Sequence, residues 1–294
     1  DNIDDGDTIG TVTLSTATGP GAYNNQAFTN STITVTVLDA DNADIAVVTP
    51  PSTLNEGSTA SFAVSLVTQP TGNVTVPVIS SAPLEMTASP AQLIFPVATW
   101  NVPINVTLNA VDDQVDDGNQ TVTIDFGPAQ GPNSYSGLNL SSHTQTVVAT
   151  DVDTVGIDFE NVTGTTQTSE DGTNVVLRWR LDSKPTANVT LSAISSDDTE
   201  GVVSPDTMTF TDTDWSTYQT FTVEAQTDNT DDGNINYTVS FDVASSDPLY
   251  VSGLAPADIS MTNIDVDSAS ITITPSSGLT TTEAGSSAQF TIDI

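Results

Sequence analysis

The sequence of 294 residues predicts an all-β protein, built as tandem immunoglobulin-like antiparallel β-sandwiches arranged end to end. Three observations carry that expectation. Apolar residues alternate with small polar ones in short runs, the period-two signature of strands, and no stretch shows helical periodicity. Ser, Thr, Asn, Gly and Pro separate the runs as turn residues. The pattern D-x-x-D-D-G occurs at Asp1, at Asp113 and at Asp228, 112 and then 115 residues apart, a spacing close to the size of one small domain.

Other landmarks keep the same period. Strand-like runs end in D-x-D at Asp39/Asp41, Asp151/Asp153 and Asp265/Asp267, and a Glu stands just ahead of a Gly at Glu56, Glu170 and Glu283. Trp100 and Trp215 match, as do Tyr23, Tyr135 and Tyr250. The chain therefore divides into four pieces. Residues 1–43 form the C-terminal part of one repeat, with Thr32 to Val37 as a strand. Residues 44–154 form a complete repeat. Its strands are read at Phe62–Leu66, Val74–Val78, Leu93–Phe95, Val102–Leu108 and Val122–Phe126, with an initial strand near Ala46 and a final one near Val147. Residues 155–268 form a second complete repeat, in which Val175, Leu177, Trp179 and Leu181 share one face and Arg178 and Arg180 are left exposed on the other. Residues 269–294 begin a further repeat. Both ends are expected to be cuts through a longer protein.

Composition narrows the functions. With three Lys plus Arg against 38 Asp plus Glu, the net charge is −35. Sequence-independent nucleic-acid binding is excluded, because that affinity comes from basic side chains releasing counterions. Anionic membranes are repelled for the same reason, and no apolar run is long enough to span a bilayer. Without cysteine there are no disulfides, so modest β cores need another support. The clean alternation argues against disorder despite the charge.

In a seven-strand antiparallel sandwich, the first, third and fifth connections and the end of the last strand all lie at one pole. Glu56, then Asp112, Asp113, Asp116 and Asp117, then Asp151 and Asp153, fall on that pole in the first complete repeat. Glu170, Asp228, Asp231, Asp232, Asp265 and Asp267 do so in the second, where the C–D loop adds Asp197 and Asp198. The first complete repeat has Ala82 and Pro83 at those two positions, so its ligand set is expected to be smaller. Carboxylates about 4 Å apart repel by roughly 4 kcal/mol per pair at an effective dielectric near 20, so such a pole calls for a cation. An all-oxygen set on flexible loops, with no His or Cys, suits Ca²⁺ better than Mg²⁺. A run of acids is commonly only solvated surface; the convergence of three separate loops is what sets these apart. An EF-hand is excluded, since Val115 and Ile124 stand at its third and twelfth positions counted from Asp113.

Several motifs occur in one order: Glu before Gly after the first strand, Ser89-Pro90 and Ser204-Pro205 before an aromatic strand, Trp opening the next, D-x-x-D-D-G, Tyr, and a terminal D-x-D. In this the repeat resembles the Calx-β domain. The resemblance covers two whole repeats and parts of two more. It implies an immunoglobulin-like β-sandwich that binds calcium through loop acids at one pole, as in sodium–calcium exchangers, integrin β4 and tandem arrays on bacterial surface proteins and giant adhesins. Carried over by motif, the ligands it implies are Glu56, Asp113, Asp116, Asp117, Asp151 and Asp153, and Glu170, Asp228, Asp231, Asp232, Asp265 and Asp267. In the partial first repeat they are Asp1, Asp4, Asp5, Asp39 and Asp41.

The function expected is structural: a calcium-stiffened segment of an extracellular or cell-surface protein, bacterial in origin, forming a stalk, filament, surface layer or adhesin. Its partners would be neighbouring repeats of the same chain, with lateral self-assembly open and no nucleic acid or membrane insertion. The alternative is an adhesion module that binds glycans or receptors through the domains themselves. Against it, Trp100 and Trp215 hold the same repeat position and Trp179 alternates with core residues, which points to packing. An enzyme is not expected, because His143 is the only histidine, Lys184 the only lysine and Cys is absent. His143 reads as a plain surface residue at the start of a strand.

Overall fold

The computed structural model describes residues 2–28 and 31–294, so the candidate Asp1 lies outside the described residues. Strands account for the regular structure, and among the described residues the only helical turns are short 3-10 turns. The chain forms two compact units. One comprises the residues up to Asp113 together with Asp117–Val152, and the other comprises Gln114–Asp116 with Asp153–Ile294.

In the first unit β1 (Thr8–Thr13) and β2 (Thr32–Val37) pair antiparallel. There follow β3 (Ile45–Val47), β4 (Thr53–Asn55), β5 (Thr59–Leu66), β6 (Val74–Ser80), β7 (Met86–Ser89), β8 (Gln92–Phe95), β9 (Ile104–Ala110), β10 (Gln120–Phe126) and β11 (Gln145–Thr150). They form two sheets, β3-β5-β9-β7 and β4-β11-β10-β6-β8. The seven expected strands become nine segments because two of them change sheet. Pro50 and Pro51 cannot donate to a ladder, so the first strand leaves β5 after β3 and resumes as β4, parallel to β11. Pro90 makes the same break between β7, paired with β9, and β8, paired with β6.

The second unit repeats the plan. It contains β12 (Ile157–Asn161), β13 (Gln167–Ser169), β14 (Val175–Leu181), β15 (Val189–Ser195), β16 (Gly201–Ser204), β17 (Thr207–Phe210), β18 (Gln219–Ala225), β19 (Ile235–Ser245) and β20 (Ile259–Ile264), then the short pair β21 (Thr272–Thr274) and β22 (Thr291–Asp293). Its sheets are β12-β14-β18-β16 and β13-β20-β19-β15-β17.

Period-two alternation decides what is buried. Phe62, Val64 and Leu66 point into the first sandwich against Val106, Leu108, Val122, Ile124 and Val147, and Phe62 meets Phe126 edge-on at 6.4 Å. Fully burying one such side chain is worth about 1.5–3 kcal/mol. In the second sandwich Trp179 is fully buried, with Phe159, Phe221 and Phe241 at centroid distances of 4.9, 5.4 and 4.8 Å. The β1–β2 pair has the same alternation, but Val35 is 44% exposed where its counterpart Val147 is 0% exposed. Two buried tyrosines tie loops to each sandwich. The Tyr135 hydroxyl is 2.9 Å from both Thr68 Oγ1 and Thr68 O, and the Tyr250 hydroxyl is 3.0 and 2.6 Å from the same atoms of Ser183.

Some expectations change. Val102 is 55% exposed and lies before β9, because Val97–Thr99 winds into a 3-10 turn. His143 closes another 3-10 turn rather than starting a strand, and its Nε2 lies 2.7 Å from Asp44 Oδ1. Arg178 and Arg180 do lie on the outer face, but they are not free there. They pair across strands with Glu160 and Asp158, with Tyr218 under both guanidinium groups at 4.4 and 4.8 Å.

Candidate metal centre

The strand order brings the turn after β4, the β6–β7 loop, the β9–β10 loop and the exit of β11 to one end of the first sandwich. Backbone bonds hold them there. Glu56 N–H donates to Thr150 O at 3.1 Å, Gly57 N–H to Ala110 O at 3.0 Å and Val111 N–H to Glu85 O at 2.8 Å. In the second sandwich Glu170 N–H donates to Ile264 O and Gln226 N–H to Glu200 O, both at 3.1 Å.

The D-x-x-D-D-G and D-x-D patterns interlock in the same way three times. Gly6, Gly118 and Gly233 have φ of 79°, 76° and 80°, a region that disfavours any residue with a Cβ. That conformation aims each N–H at the first acid of the D-x-D pair. Asp39, Asp151 and Asp265 accept it through Oδ2 at 2.8, 2.7 and 2.7 Å. Asp39 and Asp265 also accept the N–H of Asp41 and Asp267. These backbone donors, the one from the second residue of each pair being the stronger, hold both carboxyls below the usual range.

Within each unit one group of acids could hold an ion. In the first unit, carboxylate oxygens of Glu56, Glu85 and Asp117 all lie within 4.8 Å of one another. In the second, those of Glu170, Asp228 and Asp267 do the same. Glu56 and Glu170 are buried, at 6% and 9% exposure. Asp267 Oδ2 is buried without a hydrogen-bond partner, a costly position for a carboxylate oxygen unless something else meets it. The mutual repulsion is visible in the acidities. Burial, then Asp117 and Asp113, push Glu85 up. The Val266 N–H pulls Glu170 down, but burial and the charges of Asp265, Asp228 and Asp267 together outweigh it and leave Glu170 raised. An oxygen-only set of this charge fits a hard divalent cation.

The other candidates are placed as follows. Asp5, Asp39 and Asp41 line one depression beside β1 and β2, and Asp231 and Asp267 line another. Asp4, Asp116 and Asp231 each bond a backbone N–H further along the chain. Asp113 lies in the β9–β10 loop, and Asp153 follows β11 in the segment that opens the second unit. Asp232 N–H donates to Thr230 O. Asp197 is not among the converging carboxylates; its Oδ1 accepts the N–H and hydroxyl of Thr199, which closes its own turn.

Two residues were missed. Glu85 supplies the C–D loop acid that the first complete repeat was expected to lack, and Glu200 is its counterpart 115 residues on. The comparison at Ala82 and Pro83 looked three residues too early. The shared spacing of Glu85 and Glu200 was the available signal. The two are used differently, because Glu200 turns inward, where its Oε2 accepts from Asn263 Nδ2 at 3.2 Å.

No protein-family model matches the chain, and no curated protein matches it. Among solved structures it is similar to the CBD12 fragment of CALX1.2, at 15% identity over 67% of this chain and 79% of that one, with a TM-score of 0.31. It is also similar to domains 4–9 of the surface layer protein SbsC, at 16% identity over 82% of this chain and 35% of that one, with a TM-score of 0.23. A third is the Salmonella enterica SafA pilin with the SafB chaperone, at 10% identity over 77% of this chain and 98% of that one, with a TM-score of 0.28.

Proposed function

We propose that this chain is a calcium-stiffened structural segment of an extracellular surface protein, built from Calx-β-like repeats, with bacterial stalks, filaments, surface layers and adhesins as the class. The observation that carries it is the second-unit group: three carboxylates within 4.8 Å, one of them on a nine-tenths buried glutamate and another with a buried, unpartnered oxygen. A second group in the first unit shares two of these three positions, the turn after the second strand segment and the β9–β10 loop, and takes its third acid, Glu85, from the β6–β7 loop. Three mutually repelling acids held by separate loops favour those loops moving apart. A divalent ion reverses the sign of that interaction and ties the loops together. Glu56 with Glu85 and Asp117, and Glu170 with Asp228 and Asp267, would hold the ion, and the other loop acids would raise the local negative potential. The role is non-catalytic, with no acid required to give or take a proton.

Calorimetry on chelator-stripped protein should show calcium binding, and small-angle scattering should show a narrower spread of dimensions with calcium than without. No calcium uptake at millimolar concentration would overturn the metal reading. Uptake with unchanged scattering and protease pattern would overturn the stiffening role alone.

A further inference from the structure

One face of the D-x-x-D-D-G stretch plays no part in either acid group. Its fourth residue accepts, in all three copies, the N–H of a residue just beyond the D-x-D pair. Asp4 Oδ2 takes Ala43 N–H at 2.6 Å, Asp116 Oδ2 takes Val155 N–H at 2.7 Å, and Asp231 Oδ2 takes Ala269 N–H at 2.7 Å. Its second residue adds a backbone bond in two copies. Asn2 O accepts Gln69 N–H at 2.8 Å, and Gln114 O accepts Lys184 N–H at 2.7 Å. Gln69 and Lys184 are 115 residues apart, so the acceptor and the donor each recur with the repeat. Asp4 also uses its other oxygen, which takes the Ser134 hydroxyl at 2.8 Å.

The backbone is shaped for this contact. Gln114 has a φ of +68°, uncommon for a residue with a side chain, and the carbonyl of that same residue receives Lys184 N–H. Gln114–Asp116 belong to the second compact unit although Asp113 and Asp117, on either side, belong to the first. A carboxylate accepting a backbone N–H makes a strong, charge-assisted bond, and the bond needs no metal.

We infer that the D-x-x-D-D-G stretch is a docking element with two faces. Its Asp5/Gly6-type half closes on the D-x-D pair of its own repeat. Its Asn2–Asp4-type half is a clasp that holds the segment just beyond that pair, with the fourth-position Asp as the positioning residue for that segment. The clasp is independent of the calcium reading: it holds in metal-free protein.

The test is amide hydrogen exchange, followed by NMR, on the full 294-residue chain stripped of calcium with a chelator. The amides of Ala43, Val155 and Ala269 should be protected without calcium. Asp116→Ala should speed exchange at Val155 at least tenfold, while amides of β19 and β20 stay protected. Asp116→Asn should keep the Val155 protection, because an amide oxygen still accepts, and Asp117→Asn should leave Val155 unchanged. Val155 exchanging freely in the stripped parent, or as slowly in Asp116→Ala as in the parent, overturns the clasp. If Asp116→Ala loses the β19 and β20 protection as well, Asp4→Ala read at Ala43 decides, with the same two outcomes.

Discussion

Glu200 Oε2 accepts a hydrogen bond from Asn263 Nδ2 at 3.2 Å, inside the second sandwich. Asn263 Oδ1 in turn lies 3.1 Å from Thr168 Oγ1, which is 3.0 Å from the Tyr237 hydroxyl. Thr168, Asn263, Glu200 and Tyr237 are all buried. At the equivalent positions the first sandwich carries apolar Leu54, Ala149 and Val122, all in its core. A polar network therefore replaces an apolar patch, and Glu200 is the acid it takes from the pole. Removing one member of a buried network leaves its partners unsatisfied. Asn263→Ala should destabilise the second unit by about 1–3 kcal/mol. A shift of the urea midpoint, followed by the fluorescence of Trp179 and Trp215, reads it, and no shift would mean that the network contributes nothing.

The same comparison separates the two glutamates in calcium binding. Glu85→Gln removes an oxygen charge from the group with Glu56 and Asp117 and should weaken calcium binding in the first unit about tenfold, roughly 1.4 kcal/mol. Glu200→Gln should leave calcium affinity unchanged and lower stability instead. Calorimetric titration of both variants beside the parent checks this, and equal losses for the two would contradict the different roles of the paired positions.

Much of this was legible in the sequence, and the gaps have physical causes. Alternation at Phe62–Leu66 and Val175–Leu181 located strands because burial on one face enforces period two, and the recurring acids located the pole because antiparallel order sends their loops to one end. Alternation is blind to a strand that changes sheet, so it gave no sign of the switches between two ladders at Pro50 and Pro90. It is equally blind to which oxygen a carboxylate spends on a backbone N–H, so Asp4, Asp116 and Asp231 looked the same as Asp117. Glu85 escaped because a single acid after Ala82 and Pro83 carries no local pattern; only its spacing from Glu200 marks it.

Acidities should split within the pole of calcium-free protein. Glu85 and Glu170 are raised above the ordinary glutamate value of 4.5, and Asp39 and Asp265 are lowered below the ordinary aspartate value of 3.8. The raised pair disfavours the folded form once ionised, and that penalty is relieved as pH falls through their folded values. The lowered pair contributes stability above the ordinary aspartate value and loses it as pH falls through theirs. Carboxyl NMR titration should therefore find Glu85 and Glu170 protonating first, with added calcium moving both downward. Coincident titration of all four would remove the electrostatic case for a cation.

The paired arginines give a prediction about what calcium binding does not need. Arg178 and Arg180 meet Glu160 and Asp158 on the outer face of β12 and β14, with side chains 36% and 42% exposed and Tyr218 beneath them. Solvent screening at that exposure keeps the contribution of each pair small, with a similarly modest increment from the ring contact. Replacing both arginines by Gln should thus destabilise the second unit modestly at low salt, and less at high salt as the screening length shortens. Calcium binding should be unaffected, because neither arginine is among the residues that converge with Glu170, Asp228 and Asp267. Calorimetry in calcium and denaturation at two ionic strengths test both halves. A calcium affinity that changes with the arginines would place the cation elsewhere on the second unit, and a stability loss independent of salt would assign these side chains to packing rather than charge.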